Sequence, residues 1–127
     1  MMPAVDMKFA HAEGEERPVF DRDHLFHYAM QDEQLAGEVA NLFLIQLPAM
    51  LRGLESAATA ADWAFATHTL KGSAAAVGAT GLQRLAVEME AMPFPGDGTV
   101  RQLRLQAAKG AAADFTAAVR QAFPEQG

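Results

Sequence analysis

The feature of this sequence that most constrains its fold is the recurrence of apolar residues at helical spacing. From Leu35 to Leu54 they fall every three or four positions, as they do along one buried face of a helix. Runs of alternating β-branched residues, which would indicate strands, are missing, and the good helix formers Ala, Leu, Gln, Glu and Met dominate. The chain is therefore predicted to be all-α.

Proline, glycine and capping residues divide the chain into one short and four longer predicted helices. The short helix follows Asp21 and ends near Met30, and the long one spans 35–54 with a bend expected at Pro48. The others are predicted at about 62–77, from a Thr80 cap to Pro93, and from a Thr99 cap to Pro124. In the last helix the residues expected in the core are Leu103, Ala107, Ala111, Phe115, Ala118, Val119 and Ala122. Four methionines are also expected to fill the core, namely Met30, Met50, Met89 and Met92.

Four amphipathic segments with short links predict an antiparallel four-helix bundle, with the short N-terminal helix covering one end. A chain of 127 residues has room for a single domain of this kind. We expect a flexible N-terminal tail over residues 1–18, the bundle over 19–123 and a C-terminal tail over 124–127.

The composition excludes several classes of protein. A net charge of −6 argues against a nucleic-acid binder, because such proteins use Lys and Arg to neutralise phosphates. The absence of cysteine excludes disulfides and thiolate metal sites. No stretch approaches the ~18 consecutive apolar residues of a membrane span, and the first residues lack the apolar core of a secretory signal. We expect a cytoplasmic monomer that binds neither nucleic acid nor membrane.

His68 is predicted to lie on an unusual solvent-facing stripe of the second long helix, at about 62–77. At about 100° per residue it points roughly 160° away from Leu70, which belongs to the predicted buried side. Its neighbours on that face are small or apolar apart from one lysine: Ala61, Ala64, Phe65, Lys71, Gly72 and Ala75. A glycine inside a helix lowers helix stability by ~1 kcal/mol relative to alanine, so a glycine at position 72 requires an explanation. Either it lets a partner or a phosphoryl group approach His68, or it allows another helix of the bundle to pack closely.

Charge is unevenly distributed around this histidine. Between Trp63 and Val87 the chain carries two basic side chains, Lys71 and Arg84, and no acidic one. Such a positive patch on an acidic chain is typical of a surface that meets an anionic group or an acidic partner.

The segment from His68 to Ala79, His-Thr-Leu-Lys-Gly-Ser-Ala-Ala-Ala-Val-Gly-Ala, resembles the signature of histidine-containing phosphotransfer (HPt) domains. These domains are the relay modules of multi-step two-component signalling. The resemblance covers roughly residues 20–122. It implies a four-helix bundle whose His68 is reversibly phosphorylated by exchange with the aspartate of a receiver domain, in a response regulator or a hybrid kinase. It further implies no ATP-dependent kinase activity and no cofactor of its own, because the receiver domain supplies Mg²⁺.

The resemblance also suggests roles for the neighbours of His68. Lys71 is expected to offer its ammonium to the phosphoryl oxygens, and Gly72 to leave them space. Glu90, 22 positions after His68, is expected either to accept the second ring N–H or to be a solvated helix charge. The residues expected to dock the partner are Ala64, Phe65, Lys71, Gly72, Ala75 and Arg84.

Three alternatives remain open from the sequence. The chain could be a non-phosphorylated adaptor that binds a receiver domain or kinase, although intact His68, Lys71 and Gly72 argue against this. It could be a separate phosphorylatable module of a chemotaxis-type histidine kinase, a hypothesis that the glutamate at position 90 slightly favours. A metal-binding bundle is the third, but His24 and His27, spaced i and i+3, have few further ligands nearby.

Overall fold

The computed structural model describes residues 19–126, which form helices and contain no strand. Helix α1 spans Arg22–Tyr28, α2 Glu33–Ser56, α3 Ala60–Val77, α4 Thr80–Ala91 and α5 Gly98–Ala122, and a 3₁₀ turn follows at Pro124–Gln126. The predicted all-α fold is confirmed. The predicted N-terminal tail, residues 1–18, lies outside the described residues.

Helices α2 to α5 form the bundle, and each contacts two of the others. Helix α3 lies between α2 and α4, and α5 packs against α4 and α2 on the opposite side. Short links reverse the chain between successive helices, so neighbours in sequence run antiparallel. Helix α1 packs across α2 and α3, as expected for the additional N-terminal helix.

The core is built around Phe115, which is fully buried in α5. Its ring meets Phe20 and Phe43 edge-on, with centroid distances of 5.3 Å and 5.5 Å. The other large, fully buried side chains come from every helix: Leu25, Leu54, Leu70, Leu82, Met89 and Val119. Each such burial contributes roughly 1.5–3 kcal/mol, so these contacts hold the helices together.

The predicted core face of α5 is wrong in its first half. Leu103 is 61% exposed and Ala107 is also exposed, whereas Leu105 and Ala108 are buried. Farther along, Phe115 and Val119 are buried as predicted. The alanine-rich helix carries two apolar stripes in its first half, and only the stripe through Leu105 is in phase with Phe115.

Two predicted caps and one predicted core residue also differ. Asp97, not Thr99, caps α5, because its carboxylate accepts hydrogen bonds from Thr99 N and Val100 N at 2.8 Å and 3.3 Å. Residue Ala79 occupies the N-cap position of α4, and Thr80 is the first helical residue. Met30 is 83% exposed because it lies with Gln31 in a left-handed link between α1 and α2, at φ of 58° and 62°.

Residues 123–126 pack against the bundle, and the last residue of the tail predicted over 124–127 lies outside the described residues. Phe123 is buried, and the 3₁₀ turn that follows it contacts α2 and α5. A Cβ at Gly37 would come 3.1 Å from the side chains of both Phe123 and Gln126, which shows how closely the segment approaches α2.

Helix α2 continues through Pro48 without a break, and the bend expected there stays a prediction. Its 24 residues include an 18-residue window with a mean hydropathy of 1.2, which meets the length and composition of a membrane span. A core helix of a bundle passes the same test, and α2 buries Phe43, Leu47 and Leu54 in the core. The window is therefore weak evidence for a membrane segment.

Candidate functional site

Both ends of α3, the helix that carries His68, are fixed by local interactions. At its start the Thr59 hydroxyl accepts a hydrogen bond from Asp62 N at 3.0 Å. At its end Gly78 adopts a left-handed conformation with φ 76°, and its carbonyl accepts from Asp21 N at 2.7 Å. A Cβ at Gly78 would lie 2.4 Å from the Asp21 carbonyl oxygen, so only glycine fits this close approach.

The rotation of α3 about its axis is set by its buried side. Trp63 donates from Nε1 to the carbonyl of Met89 on α4 at 2.9 Å. One turn later the buried Thr67 hydroxyl donates to the Trp63 carbonyl at 2.9 Å, and Leu70 is fully buried. Because these residues face the core, His68 is turned outward, as its helical phase predicts.

The His68 side chain is 71% exposed, and one ring nitrogen faces a carboxylate. Nδ1 lies 3.4 Å from Glu90 Oε2 on α4. No hydrogen bond to Nε2 occurs within residues 19–126. The two nitrogens therefore have different surroundings, because only Nδ1 lies beside an anion.

Glu90 bridges His68 and Lys71. Its other oxygen, Oε1, accepts a hydrogen bond from Lys71 Nζ at 2.7 Å, and both side chains are about one-third exposed at 32%. The hydrogen bond from Lys71 is the largest cause that lowers the pKa of Glu90, while partial desolvation opposes it. Glu90 is therefore an ionised carboxylate at neutral pH.

This contact changes the charge expected around His68. The positive patch was inferred by counting charges along the segment 63–87, which contains no acidic residue. In the fold, Glu90, which lies just beyond that segment, contacts Lys71 within it. Lys71 is consequently paired, whereas Arg84 is exposed on α4. The surroundings of His68 are closer to neutral than the sequence suggested.

The surroundings of Gly72 decide between its two explanations. A Cβ built at this position meets nothing within 4 Å, so packing by another helix of the bundle does not require glycine. The residue is exposed and lies one turn after His68. Within residues 19–126 no contact offsets the cost of a helix-interior glycine at this position, and the role of Gly72 in access to the ring stays a prediction.

The structure places the remaining predicted docking residues on or beside this face. Ala64 and Phe65 are exposed, Phe65 by 75%. Ala75 is half-buried beside His24, where they line a shallow cavity of about 150 Å³. Val87, which was not among the residues predicted from the sequence, is 48% exposed on α4 one turn before Glu90.

The described residues contain no group of three or more His, Cys, Asp or Glu side chains placed to hold a metal ion. His24 and His27 both lie exposed on α1.

A comparison with protein families matches residues 38–122 to the family model described as Hpt domain. The matched segment runs from the first turns of α2 to the end of α5 and includes His68, Lys71, Gly72 and Glu90. No curated protein and no solved structure gives a match.

The ion pair predicts how the carboxyl group of Glu90 titrates. In the native protein it should titrate below its ordinary pKa, because Lys71 favours the charged form. The stability that this pair contributes is present above the ordinary pKa of a glutamate and is lost as the pH falls through the lowered value. The substitution Lys71→Met should move the transition upward, as followed by carbon-13 NMR of the carboxyl group.

The variant Lys109→Met is the matched control, since Lys109 pairs with Glu55 at 2.5 Å and makes no contact with Glu90. A Glu90 transition that is the same in the wild type and in Lys71→Met would contradict the pairing.

Proposed function

Because the chain belongs to the Hpt domain family, whose members are histidine phosphotransfer modules of phosphorelays, we propose that it carries its phosphoryl group on His68. We propose that the group is exchanged with the aspartate of a receiver domain, in a response regulator or a hybrid kinase. Members of the family interact with receiver domains and are not kinases. Mg²⁺ and the acceptor carboxylate would both come from the receiver domain, as would the phosphoryl group in one direction of exchange.

The observation that carries this proposal is the unequal environment of the two ring nitrogens. Glu90 Oε2, 3.4 Å from Nδ1, favours the neutral tautomer with its proton on Nδ1. In that tautomer the lone pair lies on Nε2, the exposed nitrogen. A neutral imidazole is a competent nucleophile near pH 7, since its unperturbed pKa is ~6.5. The geometry therefore supports attack from Nε2.

The exchange reaction balances without a separate acid or base. The Nε2 lone pair forms the P–N bond, the P–O bond to the aspartate breaks, and the electron pair leaves with the carboxylate. The proton stays on Nδ1, so the phosphorylated ring carries a positive charge beside Glu90. In the reverse direction the P–N electrons return to Nε2, and neutral imidazole is the leaving group. Glu90 favours both directions by holding that proton on the ring.

Lys71 is the proposed partner of the phosphoryl oxygens. Its ammonium lies on the helix turn that follows His68 and donates to Glu90 before phosphorylation, at 2.7 Å. An incoming phosphoryl group carries more negative charge than a carboxylate, so it competes for the same ammonium. The exposed Gly72 leaves room for the phosphoryl oxygens beside Lys71. Transfer then depends mainly on positioning and charge, as is usual for phosphoryl groups.

Replacing the nucleophile tests the proposal directly. His68→Gln should abolish acceptance of radiolabelled phosphate from a phosphorylated receiver domain, because Gln has no nucleophilic ring nitrogen. His27→Gln, at an exposed histidine of α1, is the control and should be labelled like the wild type. Labelling that survives His68→Gln unchanged would overturn the assignment. A His68→Gln variant that binds the receiver domain and regulates it as the wild type does would instead favour an adaptor.

Removing the open space at Gly72 should separate stability from transfer. Gly72→Gln should raise the free energy of unfolding by about 0.5–1 kcal/mol, because Gln is the better helix former. Its side chain should hinder the approach to Nε2 and slow transfer by about tenfold or more, a barrier increase of ~1.4 kcal/mol. Thermal unfolding and the transfer rate measure the two effects. A stable variant that transfers at the wild-type rate would show that access is not the role of Gly72.

Neutralising Glu90 tests its action on the ring. Glu90→Gln keeps a hydrogen-bond acceptor but removes the charge that stabilises the Nδ1 proton. Loss of the outer partner of a metal-bound histidine typically costs 10–100-fold, and we expect transfer to slow by about that factor here, in both directions. Nitrogen-15 NMR of the ring should also show a larger share of the other tautomer.

Glu88→Gln is the control, since Glu88 lies on the same helix and approaches Arg104 at 3.5 Å, not His68. Equal rates and equal tautomer populations in Glu90→Gln and the wild type would show that Glu90 is only a solvated charge on its helix and does not act on the ring.

A further inference from the structure

Glu90 lies in the last turn of its helix, where helical structure is weakest. Helix α4 ends at Ala91, so Glu90 is its penultimate residue. The last four carbonyl groups of a helix have no partner within it, and helix ends fray for that reason. The ion pair with Lys71 is about one-third exposed, and pairs at such exposure contribute little to order. A contact from outside α4 is therefore needed to hold the Glu90 carboxylate beside His68.

The carbonyl group of Met89 receives that contact. In a continuous helix it would accept a hydrogen bond from the N–H of residue 93, but residue 93 is proline and has no N–H. It accepts instead from Met92 N at 3.1 Å and from Nε1 of Trp63 at 2.9 Å. The indole of Trp63 thus supplies a donor from α3 to the turn of α4 that carries Glu90.

The indole is held in place by the link between α4 and α5. Trp63 is 3% exposed, and its ring stacks on that of Phe94, with centroids 5.6 Å apart and planes inclined by 25°. The guanidinium of Arg101 lies 5.1 Å from the centroid of the Phe94 ring and donates to the carbonyl of Pro95. This stack leaves the indole little freedom to turn, so its N–H stays directed at Met89.

Trp63 and His68 lie on the same helix but face different ways. They are five residues apart, which places them about 140° apart around α3 and about 7.5 Å apart along it. Trp63 lies in the core, whereas the His68 side chain is 71% exposed. An effect of the indole on the imidazole ring must therefore pass through the helices, and Met89, which precedes Glu90, offers the shortest route.

We propose that Trp63 is a positioning residue for phosphotransfer, which holds the last turn of α4 so that Glu90 stays against Nδ1 of His68. This inference rests on the proposed function, because it concerns the carboxylate that keeps the proton on Nδ1. Packing in the core requires only an apolar ring at position 63, whereas the bond to Met89 requires the indole N–H. A phenylalanine there keeps much of the packing and loses the bond.

Trp63→Phe tests the proposal. Nitrogen-15 NMR of His68 should show a larger share of the tautomer with its proton on Nε2. With a phosphorylated receiver domain that labels the wild type, the maximal transfer rate should fall by about tenfold, since a misplacement of about 1 Å costs up to about 100-fold. KM should stay within about twofold, because the exposed face of α3 is unchanged. An unchanged tautomer ratio and an unchanged maximal rate would overturn the proposal.

A double variant shows whether Trp63 acts through Glu90. In Glu90→Gln the charge that Trp63 is proposed to position is gone, so adding Trp63→Phe should slow transfer by less than about twofold further. Equal slowing by Trp63→Phe in the presence and in the absence of the glutamate would assign the effect to the core alone. That result would also overturn the proposal.

Val119→Ala is the matched control for lost core packing, since Val119 is buried near the far end of α5. It should unfold at a lower temperature than the wild type but keep the tautomer ratio and the transfer rate. The shift of Trp63→Phe appearing also in Val119→Ala would contradict a specific role for the indole. Phe94→Leu loosens the stack and keeps Trp63, so it remains informative if Trp63→Phe folds poorly. It should shift the tautomer ratio in the same direction.

The tautomer ratio is measured without phosphate, so failure of this inference is distinguishable from failure of the proposed function. If the wild type is not labelled at His68, the proposed function is wrong, whatever Trp63→Phe does to the ring. If the wild type is labelled there and Trp63→Phe keeps its tautomer ratio and rate, only the inference about Trp63 is wrong.

Discussion

The rotational setting of α3 is the constraint on which the rest of the site depends. Trp63 fixes it through the hydrogen bond from Nε1 to Met89, and Gly78 fixes the far end of the helix through its contact with Asp21. A rotation of one residue, about 100°, would carry His68 away from Glu90 and bring a different side chain to the surface. The buried contacts of α3 therefore act on the chemistry, although none of them touches the ring.

A single carboxylate links the two charged groups of the site. Glu90 contacts Nδ1 of His68 with one oxygen and Nζ of Lys71 with the other. In the proposed reaction Glu90 neutralises Lys71 before His68 is phosphorylated. The movement of Lys71 to the phosphoryl oxygens would then leave Glu90 with the charged ring alone. The main ion-pair partner of the carboxylate would thus change from Lys71 to the positively charged ring. This sharing keeps the number of unpaired charges low in both states.

The sequence predicts the helices and the outward direction of His68 because both follow from the 3.6-residue period within one segment. It predicts less where the answer depends on a second segment. Alanine-rich α5 carries two apolar stripes, and only contact with Phe43 and Phe20 shows that the stripe through Leu105 faces inward. The Glu90–Lys71 pair likewise joins residues of different helices. Neither the period nor the charge count of one helix reveals it.

Stability and function are placed on different sides of the same helix. The buried side of α3 contributes Trp63, Leu70 and Val77 to the core, and the exposed side holds Gly72 and Phe65. A glycine in a helix and an exposed aromatic ring are both unfavourable for an isolated bundle. They persist at a cost of roughly 1 kcal/mol for the glycine, small beside the several large side chains buried opposite at roughly 1.5–3 kcal/mol each. The buried side of α3 thus provides enough stability for the core to tolerate both residues on the exposed side.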